Sequence, residues 1–205
     1  MSTVIDLPST FGQIDIYLFD QLLKGRITAR DRVLDAGCGS GRNLFYLMTM
    51  GCVVSAVDTN PDAVAGVREL AAELHTGLPE ENFRVEPIEG LSFADAAFDV
   101  VISSAVLHFA KDDQHFTAMV ESMWRVLRPG GIFFARLAST VAIERDVTPL
   151  GNGHFVLPDG SDRYLVTPET IEQLTARLGG QLLDPIKTTV VHGQRSMTTW
   201  VARKD

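Results

Sequence analysis

Cysteine is scarce in this 205-residue chain: only Cys38 and Cys52 occur, and they form no Cys-x-x-Cys pair. A disulfide framework and a cysteine zinc site are not indicated, and the two thiols read as small buried hydrophobes. Positive charge is short as well, with 18 Lys and Arg against 26 Asp and Glu and a net charge of −8. Such a balance has no general attraction for phosphate backbones or anionic lipid, so nucleic acid and membrane are not expected as partners. No segment approaches the ~18 apolar residues of a membrane helix. The start, MSTVIDLPSTFGQIDIYLF, has no basic region followed by a long apolar run, so a soluble, cytoplasmic protein is expected.

Apolar residues make up 45% of the chain. At this length that supports one sizeable core, and the usual ~100–200 residues per domain predict a single domain over residues 1–205. From about residue 14, helix-like stretches alternate with short β-branched ones, the pattern of a parallel sheet with helices on both faces. Strands are predicted in DRVLDAG, CVVSAVD, NFRVEPI, FDVVISSAV and IFFARLA, and helices in IDIYLFDQLLK, RNLFYLMTM, NPDAVAGVRELAAELH and HFTAMVESMWRVL. Asn60 and Pro61 read as a cap and a first turn, and Pro129, Gly130 and Gly131 as the stop before the fifth strand. Residues 139–166 carry no helix period but hold a PDG turn between HFVL and DRYLV, which predicts a hairpin or folded loop inserted near the site. TPETIEQLTARLGG is a helix capped by Thr167 and closed by Gly179. LLDPIKTTVVH and SMTTWVARK, joined through GQR, predict an antiparallel pair. The expected fold class is α/β, a doubly wound, seven-stranded, mostly parallel Rossmann-like sheet ending in that antiparallel hairpin. Trp124 and Trp200, within a helix and a strand, read as core.

The densest signal is VLDAGCGSGRNLFYL, in which Gly37, Gly39 and Gly41 follow a strand and precede a helix. At the carboxyl end of a first strand this is where open α/β sheets bind nucleotides. A phosphate-binding P-loop needs a Gly-Lys-Ser/Thr ending, and Arg42-Asn43 does not supply it. The dinucleotide fingerprint fits at Gly37 and Gly39 but has Arg42 in its third place. Asp58, 21 positions after Gly37, ends the second strand, where a carboxylate accepts from both ribose hydroxyls. A ligand with a ribose and no diphosphate is expected; otherwise Asp58 caps the helix that starts at Pro61.

VLDAGCGSGRN, VSAVDTNPDAV, LSFADAAFDVVISSAVLHF and VLRPGGIFFARL, in this order over about residues 30–137, resemble the motif series of class I S-adenosylmethionine-dependent methyltransferases. The resemblance implies S-adenosylmethionine as cofactor, with Gly37, Cys38 and Gly39 against its methionyl part. It implies Asp35 supporting the loop and the amino group, Asp58 on the ribose with Thr59 and Asn60 beside it, and Asn43 in the helix beneath. Ser103 at the end of the fourth strand joins this set. Tyr17 is expected either over the methionine carboxylate or in a helix-to-sheet contact. One departure is Pro87, where many relatives carry the acid that bonds the adenine amine; Ile88 packing on the ring, with backbone groups or Glu89 at its polar edge, is the expected substitute. GCGSGRNLFYLMTMGCVVSAVDTNPDAV and GQRSMTTWVARK are also similar to bacterial tellurite-resistance-type methyltransferases, although residues 139–166 do not follow them.

Methyl transfer is an in-line displacement, so the protein aligns an acceptor, excludes water and, for hydroxyl or amine acceptors, removes a proton. The Asn-Pro-Pro-Tyr type signature of amine-modifying DNA and protein methyltransferases is absent after the fourth strand, which disfavours nucleobases. His108 is the candidate base, with a backbone-bonded histidine as its alternative. Arg136, among apolar residues at the end of the fifth strand, requires an anionic partner, either a substrate anion or an internal Asp or Glu. His154 and Arg163 in the insertion, with His192 and Arg195 at the final hairpin, add positive or switchable charge over the same surface. His75 and His115 are given no role. A small, anionic acceptor is expected, with a nicotinamide-dependent oxidoreductase and a noncatalytic cofactor-binding module as the competing functions.

Overall fold

Five short runs build the centre of the fold, and the inner ones, β-branched and apolar on both faces, have to be covered by helices on both sides. The computed structural model describes residues 6–205; residues 1–5, part of the start read above, lie outside the described residues. β1 (Arg32–Ala36), β2 (Val53–Asp58), β3 (Phe83–Val85), β4 (Phe98–Ser104) and β5 (Leu127–Ala138) pair in parallel. One face packs on α2 (Ile16–Leu23), α3 (Leu44–Thr49) and α4 (Pro61–Glu73), through Leu18, Leu47 and Val67. A short α1 (Leu7–Phe11) precedes them. The other face packs on α5 (Asp113–Val126) and α6 (Pro168–Arg177), through Phe116, Met123 and Leu174. The fold is thus doubly wound, and no described helix is long and apolar enough to cross a membrane.

The sheet runs β3-β2-β1-β4-β5 and continues through β11 (Arg195–Lys204) to β10 (Lys187–Val191). β10 and β11 form the expected antiparallel hairpin, and β11 pairs antiparallel with β5. Strand order reverses between β1 and β4, so their carboxyl ends diverge and leave a crevice, the usual ligand position of such sheets. Trp124 and Trp200 are buried, as expected of core residues.

Four local differences from the sequence reading have physical reasons. The helix expected to run through Leu127 ends at Val126, since Leu127 is already extended (φ −76°, ψ 132°), and Pro129-Gly130-Gly131 forms an irregularity within β5 rather than a stop before it. β3 ends at Val85, and after the ladder bond from Glu86 N–H to the Asp58 carbonyl comes Pro87, which has no N–H to continue. β9 (Gly180–Leu182) adds an eighth strand beside β11. In the insertion, β7 (His154–Val156) and β8 (Asp162–Tyr164) form the hairpin expected around the PDG turn, and β6 (Thr148–Gly151) joins them as a third strand.

Candidate active site

The glycine loop leaves β1 through two bonds that tie its first turn to the neighbouring strand: the N–H groups of Gly37 and Cys38 both donate to the Val57 carbonyl, at 2.9 and 3.0 Å. At Gly37 (φ +83°) a Cβ would lie 2.5 Å from Val106 Cγ2, so only glycine lets the loop pass under the β4 end. Gly39 (φ +49°) has nothing within 4 Å of a built Cβ, and its bare backbone lines a cavity of about 600 Å3. That volume is in the range of pockets holding a small ligand, roughly 300–1,000 Å3.

Asp58 lines this cavity from the end of β2. Its Oδ2 accepts from Gly39 N–H and its Oδ1 from Asn60 N–H, both at 2.9 Å. A carboxylate offers about four lone-pair directions, so each oxygen keeps one for a diol. The cap of α4 is Asn60, which accepts from Asp62 N–H at 3.0 Å and does not line the cavity. Thr59, Cys38 and Asn43 do line it. Asn43 is also pinned, accepting from the Asp15 N–H at 3.0 Å.

Asp35 is buried beneath the loop and does not itself line the cavity, and neither of its oxygens has a hydrogen-bond partner among the described residues. Burial pushes its carboxyl up to about 7, with Arg42 pulling against this and Asp58 adding to it. A carboxylate in that state is an unsatisfied acceptor, and a cationic group arriving in the crevice would stabilise its charge. The Cys38 thiol is pushed well above its ordinary range, chiefly by burial, and is inert as a nucleophile.

The far side of the cavity is formed by Pro87, Ile88, Glu89 and Met119, an apolar slot with a carboxylate at its edge. His115, to which no role was given, lines it too, with Nε2 3.2 Å from Glu89 Oε1. Ser104 faces the cavity and accepts from Arg42 Nη2 at 3.1 Å. Ser103, the serine expected at the cofactor, is fully buried away from it, with an unpartnered Oγ. Adjacent strand residues point to opposite faces, so this one-position error moves the hydroxyl across the sheet. Tyr17 lies outside the cavity as well. Its hydroxyl bonds Thr189 Oγ1 at 2.5 Å, the helix-to-sheet alternative.

A second cavity, of about 280 Å3, shares Ala105 with the first. His108, Arg136, Arg163, Arg195 and Asp159 supply its charged or titratable lining. Four of the six candidates for the acceptor side, His108, Arg136, Arg163 and Arg195, therefore meet there. His192 does not: it is exposed in the turn between β10 and β11 and lines neither cavity. His154 is also absent from both cavities, being bonded to Asp162 and to the Ala110 carbonyl.

Arg136 has an internal partner. Its Nη1 donates to Asp15 Oδ2 at 2.8 Å, and Asp15, the buried cap of α2, also lies 3.6 Å from Arg42. This is the Asp alternative read from sequence, although Arg136 still lines the second cavity. His108 is buried with Nδ1 unpartnered, and burial, with a smaller contribution from Arg163, lowers it to about 4. It stands neutral at pH 7 as a weak base, which removes most of the driving force for general-base catalysis by this ring.

A sheet of this topology, with a ribose-type acid and a glycine loop at its switch point, defines a nucleoside-binding α/β protein. Residues 34–135 match the model of the methyltransferase domain. An uncharacterized methyltransferase of Synechocystis sp. is 30% identical over 165 residues, covering 80% of this chain and 70% of that protein. The chain belongs to the class I S-adenosylmethionine-dependent methyltransferases, whose cofactor is S-adenosylmethionine. It is 35% identical over 120 residues to a malonyl-[acyl-carrier protein] O-methyltransferase of Enterobacter lignolyticus, but that match covers 57% of this chain and only 44% of that protein. Among solved structures, the Burkholderia thailandensis 1,6-didemethyltoxoflavin-N1-methyltransferase, with 1,6-didemethyltoxoflavin and S-adenosylhomocysteine bound, superposes with a TM-score of 0.69 at 20% identity, over 97% of this chain and 81% of that one. At that identity the likeness is one of fold.

Proposed function

We propose that the chain transfers a methyl group from S-adenosylmethionine, held in the first cavity, to a small anionic acceptor held in the second. The observation that carries this reading is the shared wall at Ala105: a cavity bounded by the loop, Asp58 and Ile88 has this residue of the β4 end in common with one bearing Arg136, Arg163 and Arg195, in a chain of net charge −8. The first cavity fits the cofactor by two features of its lining, the side-chain-free approach at Gly39 and the spare acceptor capacity of Asp58, and the orphaned Asp35 carboxylate lies buried beneath its loop.

When bound, S-adenosylmethionine supplies a methyl on a cationic sulfonium, and the C–S bonding pair returns to sulfur as the acceptor's lone pair forms the new bond. The residues of this chain then have three tasks. Asp35 would stabilise the ammonium end of the cofactor and Asp58 would hold its ribose, Arg163 and Arg195 would hold an anion, and the β7–β8 hairpin lines the second cavity through Asp159, Ser161 and Arg163. With His108 so weakly basic, an acceptor atom that is already deprotonated suits the site better than a hydroxyl or ammonium that must first lose a proton. The malonyl group in the name of the Enterobacter enzyme is consistent with a carboxylate-bearing acceptor.

Calorimetry with S-adenosylhomocysteine tests the cofactor half. Micromolar binding is expected, weakened by about 1.5–3 kcal/mol in Asp58→Ala, the range for lost hydrogen bonds to a charged group. No heat from folded protein would sink the reading, and an unchanged affinity would remove Asp58 from the site. A screen of carboxylates, thiols, phenols and amines for release of S-adenosylhomocysteine tests the other half, and no turnover with any acceptor would favour a noncatalytic binding module.

A further inference from the structure

The start of α5 locks one side chain into the first cavity. Asp112, its cap, accepts the His115 N–H at 2.7 Å, and the Lys111 N–H donates to His115 Nδ1 at 3.0 Å. With Nδ1 occupied as an acceptor, a neutral ring carries its proton on Nε2. That nitrogen is buried and lies 3.2 Å from Glu89 Oε1, within ion-pair distance but not aligned as a finished hydrogen bond. Glu89 sits on the single 3-10 turn, Ile88–Gly90, that directly follows Pro87. Pro87 has neither an acid nor an N–H, and Glu86 before it accepts from Ser92 and does not line the cavity, so the strand end offers no polar side chain to a ring lying on Ile88 and Met119.

We infer that His115 orients Glu89 so that its carboxylate receives the 6-amino group of the cofactor's adenine, the pair serving where the strand end has only Pro87. The inference rests on the cofactor occupying the first cavity as proposed above. A carboxylate can only accept, and the exocyclic amine is a donor at the edge of the purine, so the pairing selects a 6-aminopurine. Removing the amine leaves Glu89 facing a C–H, and the site loses a charge-assisted bond that it was shaped to make. His115 is a positioning residue here, since it acts through Glu89.

The test compares S-adenosylhomocysteine with its analogue carrying hydrogen in place of the 6-amino group, by calorimetry on the full chain. The wild type is expected to prefer the amino form by about tenfold or more. In Glu89→Ala and His115→Ala that preference should fall to about twofold, and His115→Gln, whose amide nitrogen stands near the position of Nε2, should restore most of it. General damage to the pocket weakens both ligands together and leaves the ratio unmoved, so the ratio reports recognition and not folding. A wild-type ratio near one, or a large ratio that survives Glu89→Ala, overturns the inference. A ratio that falls in Glu89→Ala but not in His115→Ala overturns the positioning role. If neither ligand binds, or Asp58→Ala leaves binding unchanged, the cofactor site itself has been misassigned and the inference falls with it. Should His115→Ala fail to fold, Glu89→Ala and His115→Gln still decide it, because Glu89 is on the cavity rim and His115→Gln keeps the side chain's volume.

Discussion

Asp35 concentrates the energetics of the site in one residue. Its folded pKa, about 7 against an ordinary value near 3.9, is raised first by burial. Between about pH 4 and 7 the folded chain therefore holds a proton that the unfolded chain has lost, so this group's contribution makes the ligand-free protein less stable as pH rises through that window, with the full penalty above it. If the cofactor's ammonium approaches Asp35 as expected, binding favours the carboxylate and expels that proton. At pH 6, calorimetry of S-adenosylhomocysteine in two buffers of different ionisation enthalpy should show release approaching one proton. The release should vanish by pH 8 and in Asp35→Asn, and equal heats in both buffers at pH 6 would show that the ammonium binds elsewhere. Single residues also mark what sequence could and could not convey. Gly37, Asp58 and Ile88 were legible because each is fixed by its spacing from a strand end. Ser104 was missed for Ser103 because a strand motif does not state which face each position takes. The partner of Arg136 is Asp15, 121 residues away, and no local pattern announces such a pair.

At the scale of elements, the three-stranded β6–β8 insertion is held to the main fold by a histidine clamp. His154 Nδ1 meets Asp162 at 2.6 Å and Nε2 meets the Ala110 carbonyl at 2.8 Å. A carboxylate and a carbonyl both accept, so both ring nitrogens must donate and the imidazolium is the matching form. The bond to Asp162 raises the His154 pKa most, with the Ala110 carbonyl adding to it against desolvation. A raised folded value means the clamp is fully present below the unfolded pKa, about 6.5, and is lost as pH climbs through the folded one. NMR should find the His154 midpoint above 6.5, lowered in Asp162→Asn, with amide exchange over residues 154–164 quickening above that midpoint. A midpoint at or below 6.5 would show that the clamp does not depend on charge. The hairpin itself was readable from its PDG turn, whereas β6 (TPLG) and β9 (GQL) were not. Each is short and carries proline or glycine, so pairing supplied by neighbours, rather than its own propensity, makes it a strand. His115 was misread for a related reason: helical periodicity assigns it to a polar face, but the first turn of a helix entered from the β4 end stands over the crevice and not in open water. A cap at Asp112 three residues before a histidine was the available signal.

Across the whole molecule, charge is distributed against its average. A chain of net charge −8 directs Arg136, Arg163 and Arg195 to one small cavity, where Asp159 is the only carboxylate among the described residues. Arg136 is largely committed to Asp15, which leaves Arg163 and Arg195 as the cations available to an acceptor. Arg163 also stands at the boundary of the two cavities, its guanidinium carbon 4.9 Å from the centre of the Phe109 ring, and Phe109 lines the first. The surrounding negative field repels anions from most of the surface and makes this patch the favourable approach, so capture of an anionic acceptor should weaken as salt is raised. With an acceptor from the screen, Arg163→Ala combined with Arg195→Ala should raise its KM by about tenfold or more, since two charge-assisted contacts are lost, one of them screened at the exposed Arg195. Affinity for S-adenosylhomocysteine should stay within about twofold, because neither arginine lines the first cavity. The double variant should also flatten the salt dependence of kcat/KM. A good acceptor whose KM ignores both arginines and salt would remove the anion from the reading, while the methyl donor and the shared wall at Ala105 would remain.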